Sequence, residues 1–205
     1  MTTLDFRPTT TELACLVRSV RDEQLGDPTP CPDYTVADLL DHIGGLALAF
    51  TLSARKEEIP AGGNASGDGS RLEDGWRDRI SAQLDELGEA WLDPSAYAGM
   101  TMAGPIEMPA EVASLVALDE VTVHAWDLAV ATGQAYAADP AAVDAAHAFA
   151  TSFEPPEDGP ADDGGLFGPP VPVPADAPAL DRLLGATGRD PRWSPPSGSD
   201  NNSAA

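Results

Sequence analysis

Glu120 and His124 stand four residues apart in a long segment of helical periodicity. At that spacing two side chains share one helix face, a turn apart. A second histidine, His42, lies in another helical segment far upstream. Two imidazoles and one carboxylate form a three-ligand N/O/N set for a divalent cation. Three protein ligands leave coordination positions open, which serves chemistry or ligand capture rather than structural stapling. Zinc, nickel, iron and manganese all accept these donors, and zinc is the expectation from ligand type and availability. Asp38, one turn before His42, and Asp127, just short of a turn after His124, are placed to accept a free imidazole N–H and fix its tautomer. The alternative without metal is a buried His42 hydrogen-bonded to Glu120.

The elements that must position these groups are helices. One stripe of the later segment reads Ala113, Ala117, Glu120, His124, Leu128, Ala131. A carboxylate in the middle of a small, apolar row is costly to bury unless it is paired or bound to metal. His42 likewise replaces an aliphatic residue between Leu39 and Leu46. If the two faces meet, all three groups converge in the interior.

Three helix starts carry a hydroxyl followed three residues on by an acid: Thr9/Glu12, Thr35/Asp38 and Ser70/Glu73. They predict helices over residues 10–25, 36–56 and 72–91. Gly44 and Gly45 weaken the second helix, so a neighbouring backbone or a ligand is expected to approach there. Met100, Met102 and Ile106 suit a short extended piece. Pro109 fits the first position of a fourth helix that ends near residue 132, with Gly133 as its cap. A fifth helix is expected over residues 140–153, N-capped by Asp139, and a short one around 180–184. Cys15 reads as a small core residue, Cys31 as a loop residue that packs or approaches the site, and His147 as a surface histidine. Trp76, Trp91 and Trp126 are core anchors, and Trp193 belongs to the tail. The pattern is that of an all-α helical bundle. It divides into a bundle at residues 1–153, a Pro/Gly-rich extension at 154–192 and a disordered tail at 193–205.

Composition narrows the function. Among 205 residues, 34 acidic against 11 basic give a net charge of −23, a field that repels phosphate backbones and anionic lipid. Nucleic-acid and membrane-surface roles are therefore not expected. The longest apolar stretch, residues 43–52, is too short to span a bilayer. The first residues lack a basic region followed by an apolar run, so no signal peptide is expected. Two cysteines make neither a disulfide framework nor a paired-cysteine zinc motif. Cytoplasmic localisation is the expectation.

TPCPDYTVADLLDHIGG (residues 29–45) and DEVTVHAWDLAVATG (119–133) resemble segments of the mycothiol-dependent maleylpyruvate isomerase N-terminal family, and LFGPPVPVPADAPALDRLLGATGRDP (166–191) resembles the C-terminal signature of a single-domain metal-binding subgroup within it. The resemblance implies a DinB-like four-helix bundle with an added C-terminal helix and an irregular tail. It implies a divalent metal on His42, Glu120 and His124, and mycothiol as co-substrate. The isomerase of that family has an additional C-terminal domain where this sequence has a proline-rich extension. Two functions follow. One is a thiol-dependent transferase or isomerase that adds a metal-activated low-molecular-weight thiol to an electrophile. The other is a non-catalytic metal- or small-ligand-binding protein. Two bundles can also associate through an apolar helix face as a homodimer.

Overall fold

The Thr35/Asp38 pair forms a complete capping box: the Thr35 hydroxyl accepts the Asp38 N–H, and the Asp38 carboxylate accepts the Thr35 N–H. It starts helix α2, Val36–Arg55, which closes on Lys56 in the left-handed conformation. The computed structural model describes residues 3–58, 66–152 and 167–196. Around α2 it places α1 (Arg7–Ser19), α3 (Trp76–Ala90) and α4 (Ala110–Thr132). Helix α1 packs on α3, α3 on α2, α2 on α4 and α4 on α1, which closes a four-helix ring. Two further helices, α5 (Pro140–Ala150) and α6 (Ala179–Ala186), lie on the outer side of α4.

The other two capping signatures act differently. Helix α1 begins three residues earlier than the pattern suggests, at Arg7, with Pro8 in its first turn. Proline lacks the N–H that a first turn leaves unbonded, so it starts a helix at little cost. Thr9 is then inside the helix and buried, while Asp5 accepts the Arg7 N–H outside it. Helix α1 ends at Ser19, and Asp22–Gln24 form a separate 3₁₀ turn. Ser70 sits in another 3₁₀ turn, Gly69–Arg71, capped by Asp68. Gly75, at φ 82°, breaks the chain before α3, which therefore starts at Trp76.

Residues 100–109 form an antiparallel hairpin, β1 (Met100–Ala103) with β2 (Ile106–Pro109), registered Thr101 against Met108. Pro109 closes the hairpin and caps α4, and Gly133 ends α4 in the left-handed region at φ 68°. Asp139 caps α5 by accepting the Ala142 N–H at 2.9 Å. The end of the fifth expected helix, residue 153, lies outside the described residues, as do residues 197–205 of the expected tail.

Helix α4 is buried on nearly every side, because the bundle covers one side and α5 with α6 the other. Leu183 and Leu184 of α6 are buried against Val123, Trp126, Val143 and Ala146. The extension can lie this close because residue 185 is glycine: a Cβ there would stand 2.7 Å from the Val171 carbonyl oxygen. Gly44 does the same for α2 and α3, since a Cβ would stand 3.1 Å from Ile80 Cγ1. Helix α2 is long and apolar enough to cross a membrane by length and composition, but over half of it is buried in the bundle. The expectation that no segment is long enough is corrected to that extent.

Trp76, Trp91 and Trp126 are buried as expected, with Phe6 stacked on Trp91. Two other residues differ from expectation. Cys15 is exposed on the outer face of α1. Trp193 packs back on the core beside α6, and its backbone N–H donates to the Asp190 carbonyl.

Candidate metal centre

Helices α2 and α4 cross where their polar residues meet. Nε2 of His124 lies 3.0 Å from Glu120 Oε2, and Nε2 of His42 lies 4.0 Å from the same oxygen. The two imidazoles meet edge to face with centroids 4.9 Å apart. One donor atom from each of the three residues lies within 4.8 Å of the others. A tetrahedral cation with ligands at roughly 2.1 Å separates its donors by roughly 3.4 Å, so these spacings bracket that value. The donor set therefore fits a divalent cation. A gap of 4.0 Å is too long for the direct His42–Glu120 hydrogen bond that was the metal-free alternative.

The tautomer of His124 is set from behind. Its Nδ1 lies 2.9 Å from Asp127 Oδ2, one of the roles the spacing allows, and Asp127 is fully buried. That directs Nε2 of His124 towards Glu120 and the cleft. Asp38, the other candidate, does not serve His42. Its carboxylate is committed to Thr35 and to the Gly69 N–H at 2.7 Å.

Two residues that sequence reasoning underrated complete the arrangement. Arg189, from the extension, donates from Nη2 to Asp127 Oδ2 at 3.2 Å and lies 3.3 Å from Cys31 Sγ. Cys31, from the loop before α2, lies 3.4 Å from the same carboxylate oxygen. Cys31, His124 and Asp127 also form a second close trio of potential ligands, into which the Arg189 guanidinium projects.

Burial and pairing compete at every ionisable group here. Burial pushes His124 down, but hydrogen bonds with Asp127, Cys31 and Glu120 outweigh it and hold the imidazole well above its ordinary value. Burial pushes Glu120 and Asp127 up, yet His124 brings both below the usual carboxylate range, with Arg189 also acting on Asp127. Burial, reinforced by the Glu120 charge, pushes Asp119 up to about 8. There the nearby Arg189 and His124 charges act downward but are outweighed.

The trio opens on a cavity of about 220 Å³ walled by Tyr34, Asp119, Val123, Phe167 and Arg189 as well as Cys31. Phe167 and Arg189 both come from the extension, so the chain's last described segment forms part of the wall. The class of protein is thereby defined: an all-α, DinB-like four-helix bundle with an N/O/N donor trio at the edge of a cleft.

A family model described as "Mycothiol maleylpyruvate isomerase N-terminal domain" matches residues 6–129, and the chain belongs to that family. Two relatives are each 32% identical over 181 residues, covering 87% of this chain and 92% of theirs. They are Uncharacterized protein Rv0738 of Mycobacterium tuberculosis (strain ATCC 25618 / H37Rv) and Uncharacterized protein MT0763 of Mycobacterium tuberculosis (strain CDC 1551 / Oshkosh). Among solved structures, the mycothiol-dependent maleylpyruvate isomerase matches with TM-score 0.52 and 19% identity. A mutant of that enzyme matches with TM-score 0.54 and 19% identity. Each match covers 71% of this chain and 66% of the other, just under two thirds of its length, and shows the shared fold.

Proposed function

We propose that this chain is a divalent-metal-binding protein that activates a low-molecular-weight thiol for transfer to, or isomerisation of, a small electrophile. The observation that carries the reading is the convergence of His42, Glu120 and His124 beside a cavity with room for a ligand. The family adds the thiol: mycothiol is named for the structural neighbours, and a thiol co-substrate suits the same donor set here.

His42, Glu120 and His124 would hold the cation, with zinc favoured by imidazole and carboxylate donors. A cation so held supplies a Lewis-acidic centre that lowers the pKa of a thiol bound to it. The chain's own groups prepare the place. Asp127 keeps the His124 ring turned with Nε2 towards Glu120. Arg189 neutralises the Asp127 carboxylate, so this buried anion does not stand uncompensated behind the trio. Val123 and Phe167 form an apolar part of the cavity wall, which restricts water around a bound ligand. The cavity favours an enzyme over a non-catalytic metal- or ligand-binding protein, because it gives a small molecule room beside the three donors.

The test is metal content of purified protein for wild type, His42→Ala and Glu120→Ala. We expect about one divalent ion per wild-type chain and a large loss in both variants. Equal metal in all three proteins overturns the reading.

A further inference from the structure

Asp119 is a wall residue whose chemistry the proposed centre leaves unused. It is only 4% exposed, and its Oδ1 has no hydrogen-bond partner. The other orphan atoms nearby, Asp127 Oδ1 and Arg189 Nε, belong to groups already bonded through their remaining atoms. Among the described residues the Asp119 carboxyl has no such bond, yet the residue lines the cavity next to Glu120. One step along α4 rotates a side chain by about 100°, so Asp119 and Glu120 meet the cavity from different directions.

A buried carboxyl oxygen without a partner lowers stability, and an aliphatic side chain of similar size would suit the fold better. We propose that Asp119 is a ligand-binding residue: its carboxyl group, unbonded within the protein, accepts a hydrogen bond from an amide N–H or hydroxyl on the body of the thiol co-substrate. This rests on the thiol-binding reading above. A carboxyl group keeps an acceptor oxygen whether or not it carries a proton, so the role does not depend on its ionisation. The selected ligand is a polar thiol with N–H or O–H groups near its sulfur, in preference to a bare alkyl thiol.

Cobalt-loaded protein tests this, since a thiolate on Co²⁺ gives a charge-transfer absorption band that can be titrated. The probes are mycothiol, which carries amide and hydroxyl groups, and ethanethiol, which carries neither. Asp119→Leu is expected to weaken mycothiol binding about tenfold or more. The same substitution leaves ethanethiol binding within about twofold and the thermal midpoint at or above wild type, because the orphan oxygen is gone. Asp119→Asn, which keeps an acceptor oxygen, holds mycothiol binding within about threefold of wild type. Should Asp119→Leu not fold, Asp119→Ala carries the same comparison of probes. Unchanged mycothiol binding in the variant that folds overturns the proposal, as does an equal loss of both probes. A cobalt-loaded wild type that shows the band with neither thiol overturns the thiol reading itself, and this role for Asp119 with it.

Discussion

The imidazole of His124 faces a carboxylate from each ring nitrogen, Asp127 at Nδ1 and Glu120 at Nε2. Without metal both nitrogens are best protonated, which is why the group is held above its ordinary value. A cation at Nε2 must displace that proton. Apparent metal affinity should therefore climb about tenfold per pH unit until the His124 value is passed, with about one proton released per ion bound. Asp127→Ala removes the group that orients the ring and leaves the Arg189 charge without its carboxylate. We expect metal affinity to fall roughly 10- to 100-fold, read by competition with a chelator. Unchanged affinity would mean that the ring is held by its packing alone. Glu120 and His124 were readable from the sequence because a four-residue spacing fixes a shared helix face. Arg189 was not, because it meets Asp127 across 62 residues of chain and no local period encodes that meeting. Cys31 was ambiguous for the same reason: its loop position left open whether it met the site or packed.

At the scale of the elements, α2 carries His42, and its first turn is fixed by the reciprocal Thr35/Asp38 box. Thr35→Ala removes the side-chain acceptor for the Asp38 N–H and is expected to cost about 1 kcal/mol. A lower thermal midpoint with metal content near wild type is the expected result, because His42 lies nearly two turns further in. The Thr35 box was legible because Thr35 has extended backbone and a free helix start behind it. Thr9 and Ser70 carry the same letters and fail to cap, because a proline and a glycine nearby decide where their helices begin. Periodicity found the helices; these two residues shifted their starts. Cys15 shows the limit of composition: cysteine is usually buried, yet this one falls on the solvent side of α1.

Over the whole molecule, proton uptake at one cluster feeds back on the stability of the fold. In the metal-free protein, Asp119 is raised from 3.8 to about 8, and His124 is raised well above 6.5. Their contributions are fully present below those unfolded values and are lost as pH rises through the folded ones. Glu120 and Asp127 are lowered, so their contributions are present above 4.5 and 3.8 and are lost as pH falls through the depressed values. The net charge of −23 adds self-repulsion that also grows as carboxyl groups ionise. The extension is bound into this balance, since Arg189 reaches the cluster while Leu183 and Leu184 seat α6 on the bundle. Metal-free protein should therefore lose thermal stability from neutral pH to about pH 9. A cation held at the proposed site would take the place of the His124 proton and offset the charge of Glu120, so the metal-loaded protein should hold its thermal midpoint over that range. Melting curves of both forms across the same buffers check this directly. Parallel curves would show that the cation binds away from the His42, Glu120 and His124 cluster.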